Sequence, residues 1–401
     1  MKRLLVLLAV VIVLLISSRW VRYSLPYRLF WYQWDVTTMD LEVAKLETAR
    51  TYLEASNSGA KLLQFPELQV PEEFGFHALL TLNEFLELNG KWDSEDKIAV
   101  VIQSSSARKV PYVYRTLASL LFAAAQPNAE PIYAAVLVDD RNPVVLAMAH
   151  PELKLVSRNE VLEIAPRQLQ DFARGLLPIV DTSREYWGLR RQRLDYALAL
   201  LVCLQTKARH CLVLEDDSLL SPQTIVQLQR NYLSKLQSSF GLLRLFRTDH
   251  FSGWEWNSHT VWQLLLCCGV GALVFPRQYR VLGCLVGLIA PLLVGKQYLP
   301  ILGTGWYSPN GPRPAQDAGS VSSLAHVYPR HVAQFLVQEL CLFPPQARLP
   351  VDLYIGDLLG ELPFWETHPN LVEHVGAISS FQHEPPTKIV ITSRSFAGGA
   401  F

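Results

Sequence analysis

The sequence predicts an α/β fold around a mostly parallel central sheet, and three short apolar runs predict it: Ile98–Ile102, Ile132–Val138 and Cys211–Leu214. Each is too short for a helix, is rich in aliphatic residues, and is separated from the next by helical patterns. Strands buried on both faces read as unbroken apolar runs, and strand–helix alternation lays them parallel. Each run ends in a polar cluster: Gln103 to Arg108, Asp139-Asp140, and Glu215-Asp216-Asp217. Ligands of open parallel sheets sit beyond the carboxyl ends of the strands, so the three clusters are expected to line one crevice.

Taken from the start, residues 1–25 read as an N-terminal transmembrane anchor. Lys2 and Arg3 give a basic flank, Leu4 to Ile16 carry no charge, and Trp20, Tyr23 and Tyr27 follow as interfacial aromatics. The alternative is a cleaved secretory signal, although Ser17-Ser18-Arg19 lacks a small-x-small cleavage site. Either way the remainder enters the secretory lumen. Residues 26–95 read as a luminal stem, whose Leu41, Val43, Leu46, Tyr52 and Leu53 recur at helical spacing; its plainest role is a spacer.

Residues 96–260 contain the three strand signals and the helical Tyr112 to Ala125. Within 261–300, the apolar runs Val261–Phe275 and Val281–Val294 flank Pro276-Arg277-Gln278-Tyr279-Arg280, which reads as a transmembrane hairpin inserted in the domain with its basic turn in the cytosol. A pair of buried core helices is the alternative, because both runs are short for a span. Residues 301–401 complete the domain after a Pro/Gly-rich loop at Gly303 to Gly319.

Composition narrows the function. Lys+Arg and Asp+Glu both number 36, and no block of like charge occurs, so nucleic acid is not an expected partner. Half of the 401 residues are hydrophobic, with the excess gathered in the runs above. Of six cysteines, Cys267, Cys268 and Cys284 fall in the hairpin, leaving Cys203, Cys211 and Cys341 for the lumen; three cannot all pair within one chain. No Cys/His spacing suggests a zinc site, and no Asn-x-Ser/Thr sequon occurs.

Three consecutive carboxylates at a strand end repel one another unless a cation or hydrogen-bond donors compensate. Hard oxygen ligands suit Mn2+ or Mg2+, with a diphosphate completing the coordination. The alternative is an acidic turn in which Asp217 or Ser218 caps a following helix.

Arg193-Leu194-Asp195-Tyr196, a helix, and then Cys211 to Asp217 resemble the same ordered set in GT-A glycosyltransferases with Glu-Asp-Asp motifs. Val100 to Leu121 is similar to the opening of the N-acetylglucosaminyltransferase IV family. The chain more closely resembles the Golgi GalNAc-transferase family that modifies GPI anchors after their attachment to protein. That family also has an N-terminal anchor, a membrane hairpin within its catalytic domain, and an ending like Pro369 to Gly376. The likeness covers roughly Ile98 to Phe381. Two features depart from it: the first-strand loop is not acidic as in some relatives, and luminal cysteines are fewer.

The resemblance implies a GT-A-like domain in the Golgi membrane, with its catalytic part luminal, that transfers GalNAc from UDP-GalNAc to a mannose of the GPI-anchor glycan with inversion. Asp217 matches the metal-binding carboxylate, Glu215 and Asp216 match positions facing the ribose and the metal, and Asp195 belongs to the same nucleotide-binding set. His374 matches a C-terminal histidine that reaches the metal or diphosphate. Asp352, ahead of the last strand, is the candidate general base, with a helix N-cap as its other reading and Asp357 as an alternative acid. Ser104, Arg108, Asp139 and Asp140 stand at strand ends suited to uridine and ribose. Acceptor partners would be GPI-anchored proteins, with membrane lipid beside the enzyme. An N-acetylglucosaminyltransferase acting on N-glycans, or a non-catalytic membrane adaptor, are the competing readings.

Overall fold

A computed structural model describes residues 36–37, 39–55, 59–69, 95–104, 111–138, 150–176, 184–236, 239–246, 258–294, 312–315, 324–342, 350–360, 362–367, 370–375 and 389–390. In chain order the main elements are β1 (Val36–Thr37), α1 (Met39–Glu54), β2 (Leu62–Leu63), β3 (Glu95–Gln103), α2 (Val113–Ala124), β4 (Ile132–Val138) and β5 (Lys154–Ser157). There follow α3 (Arg158–Ile164), α4 (Arg167–Leu176), α5 (Arg184–Leu204), β6 (Ala208–Glu215), β7 (Ser218–Leu220) and β8 (Leu242–Arg244). Then come α6 (Ser258–Val274), α7 (Arg280–Val294), β9 (Arg313–Pro314), β10 (Ala325–Pro329), α8 (Arg330–Leu342), α9 (Val351–Leu358), β11 (Phe364–Glu366), β12 (Val372–His374) and β13 (Ile389–Val390).

The centre is a nine-stranded mixed sheet in the order β2-β4-β3-β6-β10-β8-β11-β9, with β5 also on β4. Strands β2, β5, β4, β3 and β6 pair in parallel, as do β8 and β11, so the sheet is mostly parallel. Strand β10 enters antiparallel between β6 and β8. Alternation of side chains in β3 explains its apolar sequence. Val100 and Ile102 pack toward α2 on one face, while Ala99 and Val101 pack toward α5 on the other. Burying both faces leaves no place for a polar residue until Gln103, where the strand ends.

The three predicted strands are present as β3, β4 and β6, and the predicted helix as α2. The helix assigned to the stem does more than space the domain from the membrane. Ala49 and Leu53 of α1 are buried in the core, Tyr52 meets Phe122 edge-on at 6.2 Å, and Leu62–Leu63 extends the sheet beside β4. Cys203 and Cys211 form a disulfide between the end of α5 and β6, both fully buried.

The membrane expectations need correction. The anchor at residues 1–25 lies outside the described residues. Among those described, no helix is long and apolar enough to cross a membrane. The hairpin forms as α6 and α7, of 17 and 15 residues, against the roughly 20 that a full span requires. It is not a buried pair of core helices either, because Trp262, Leu273, Val274 and Val281 are each more than 70% exposed.

Candidate active site at the carboxyl edge of the sheet

Strands β3 and β6 end together, with Gln103 opposite Glu215. Glu215 is still in the ladder, its N–H donating to the Leu324 carbonyl at 2.9 Å. Asp216 and Asp217 then form a tight turn, and the chain enters β7 directly. No helix follows the triplet for Asp217 or Ser218 to cap, so the capping alternative does not apply here. The turn is fastened from three sides: Thr116 Oγ1 donates to the Asp216 carbonyl at 2.6 Å, Ser218 Oγ donates to the Leu324 carbonyl at 2.9 Å, and Val375 N–H donates to the Asp217 carbonyl at 3.0 Å.

That last bond belongs to a short antiparallel pair in which β12 runs beside β7, with His374 opposite Ser218. The pairing brings together two residues 157 positions apart: His374 Nε2 lies 3.1 Å from Asp217 Oδ2. Asp217 is almost wholly buried, while His374 keeps partial access to solvent and leans on the Phe246 ring. A buried carboxylate is costly unless a cation or donors meet it, so this pair is electrostatically prepared for positive charge.

The donor set fits a divalent cation. The carboxylate oxygen suits Mn2+ or Mg2+ and the imidazole nitrogen suits a transition metal rather than Mg2+; the two atoms are within hydrogen-bond distance at 3.1 Å, a spacing that neighbouring ligands of an octahedral ion with ~2.1 Å bonds, about 3 Å apart, also have. Among the described residues no three His, Cys, Asp or Glu side chains converge as a metal cage.

Asp352 lies in the first turn of α9, where its Oδ1 accepts the Leu353 N–H at 2.9 Å while Pro350 occupies the N-cap position. Burial raises its pKa above the ordinary carboxylate value, and the hydrogen bonds from its own and the Leu353 backbone oppose that rise. Beside β6, where β10 pairs with it, sits a fully buried polar cluster. The Tyr196 hydroxyl is 2.6 Å from that of Tyr328 and 3.2 Å from His326 Nδ1, and the Tyr328 hydroxyl is 2.9 Å from the same nitrogen. Burial, then Tyr328, holds the Tyr196 hydroxyl well above its usual range, and the carboxylates of Glu215 and Asp352 add to the effect.

Of the other expected residues, Ser104 continues the ladder at the end of β3, its N–H donating to the Leu137 carbonyl at 2.9 Å. Asp195, on α5, pairs with Arg158 and with Arg191, the latter at 3.7 Å, which ties the start of α3 to α5. Arg108, Asp139 and Asp140 lie outside the described residues.

Several site residues carried no signal in the sequence. Thr116, His326 and Tyr328 are ordinary helix and strand residues until the sheet assembles. Gln103, the first residue of the strand-end cluster, has a buried Nε2 with no hydrogen-bond partner, and its backbone stands opposite Glu215. Its place at the end of an apolar strand was the available clue. No protein-family model matches the chain, and no curated protein matches it.

Proposed function

We propose that the chain is a metal-dependent, inverting Golgi glycosyltransferase that transfers GalNAc from UDP-GalNAc to a mannose of the GPI-anchor glycan. The observation that carries this reading is the buried Asp217 carboxylate facing the His374 imidazole at 3.1 Å, at the carboxyl edge of a mostly parallel sheet. Donor sugar and acceptor follow from the family resemblance of the Glu215-Asp216-Asp217 region and of Pro369 to Gly376.

In this reading Asp217 and His374 hold a divalent cation, which when bound stabilises the charge that develops on the departing diphosphate. Glu215 and Asp216 face the ribose and phosphates, and Gln103 Nε2 offers a donor to a nucleotide oxygen. Asp352 accepts the proton of the acceptor hydroxyl as that oxygen bonds to the anomeric carbon; the bond from that carbon to the diphosphate breaks, and UDP leaves. A carboxylate whose pKa is raised by burial is a better base for this step than a fully solvated one.

The exposed apolar surface of α6 and α7 supports attachment to a membrane, where a GPI glycan lies against the bilayer and meets a pinned enzyme at high effective concentration. The Cys203–Cys211 disulfide suits the oxidising lumen.

The test is restoration of the GPI side chain, read by mass spectrometry of released glycans, in cells lacking the corresponding activity. Wild type is expected to restore it, and Asp217→Ala and Asp352→Asn to restore less than about a hundredth as much, the usual scale for losing a charge-stabilising or base group. Restoration by both variants at the wild-type level would refute the site; a wild type that restores nothing would refute the acceptor.

A further inference from the structure

We propose that the tip of the α6–α7 hairpin binds anionic phospholipid headgroups through Arg277 and Arg280. The inference rests on the membrane attachment proposed above and names the lipid class that the attachment selects. Among the described residues, the large hydrophobic side chains that stand exposed all lie on these two helices, including Trp262, Leu266, Leu273, Val281, Leu285 and Ile289. No Lys, Arg, Asp or Glu occurs from Trp256 to Pro276 or from Val281 to Gly295. A helix that docks on a water-soluble partner keeps a polar face toward water; helices that turn apolar residues outward without one match lipid.

Against this uncharged surface the two arginines of the tip stand apart. A 3-10 turn, Arg277–Tyr279, leads into Arg280 as the first residue of α7, so the two side chains are three positions apart and leave on one side. Both are exposed, and among the described residues neither guanidinium has a hydrogen bond or an ion pair. The surrounding chain offers no carboxylate, since no Asp or Glu occurs between Glu255 and Asp317. The helix backbones close up just behind the tip, where a Cβ on Gly271 would fall 2.1 Å from the Gly283 carbonyl oxygen, so both charges sit on one narrow turn. Two unpaired cations at the end of an apolar hairpin are costly in hydrocarbon and complementary to negative headgroups, each arginine adding about a fivefold preference for an anionic surface. A zwitterionic headgroup sets an ammonium beside its phosphate and attracts them less. An acidic protein would meet the charge but leave the apolar helices in water.

The experiment reconstitutes the purified full chain, with a photo-crosslinking amino acid in place of Gln278, into phosphatidylcholine vesicles containing about one-fifth phosphatidylserine. Irradiation followed by mass spectrometry identifies the lipids captured at the tip. Phosphatidylserine is expected about fivefold or more above its share of the bilayer, and at that share once Arg277→Gln and Arg280→Gln are introduced together. The same crosslinker in place of Leu265, on the exposed side of α6 away from the tip, should capture lipids in proportion to the bilayer. Capture in proportion at the tip, enrichment that survives the double substitution, or equal enrichment at Leu265 would overturn the headgroup site while leaving the hairpin in the membrane. Lipid adducts at neither position would overturn the membrane attachment itself.

Discussion

In the proposed mechanism Asp352 is the residue whose burial bears on the chemistry. Its carboxyl must be ionised to accept a proton, and burial raises its pKa above that of a solvated aspartate. The acid limb of the transfer rate is therefore expected above the ordinary aspartate range near pH 4, with a tenfold loss of rate per pH unit below the limb. Rates of UDP release with a GPI-glycan acceptor, measured across pH at saturating donor, check this; a rate flat down to pH 4 would remove Asp352 as base.

The hairpin poses the element-scale question, because its two helices meet through glycine rather than through interlocking side chains. Gly283→Leu places a side chain where the Gly271 carbonyl lies 2.3 Å from the Cβ position, so the helices must separate. Gly269→Ala meets nothing within 4 Å and should be silent. The thiols of Cys268 and Cys284, which contact across the hairpin, report the difference. Mild oxidation of wild type and Gly269→Ala should remove two alkylatable thiols by mass spectrometry, and Gly283→Leu should lose this pairing at least tenfold. Equal pairing in all three would show that the close approach is absent. The same scale explains the strand signals. Strands β3, β4 and β6 are buried on both faces, so burial wrote an uninterrupted apolar run into each; β10 carries His326 and Pro329, is five residues long, and gave no such signal.

For the whole molecule, acid stability is set partly by buried histidine. His331, on α8, is 1% exposed, and burial followed by the nearby His210 pushes its pKa down to about 4. The folded chain keeps this ring neutral while the unfolded chain protonates it below about pH 6.5. Stability is full above that value and is lost as pH falls toward 4, by about 3 kcal/mol from this ring. His331→Leu should melt close to wild type at pH 7.5 and lose less stability than wild type between pH 6.5 and 4.5; parallel losses in thermal melts would refute the assignment. Domain limits likewise belong to the assembled molecule, since α1 reads as a stem in the sequence yet packs its Ala49 and Leu53 into the core.

By itself the sequence determined the parallel strands, the hairpin and the acidic turn, because each is a local pattern of burial or charge. Only the tertiary structure decided that His374 stands against Asp217, that the Tyr196 hydroxyl meets the Tyr328 hydroxyl and the His326 ring, and that the hairpin helices approach through glycine. Those depend on pairings such as β7 with β12 and β6 with β10, where residues more than a hundred positions apart meet through backbone hydrogen bonds that carry no side-chain code.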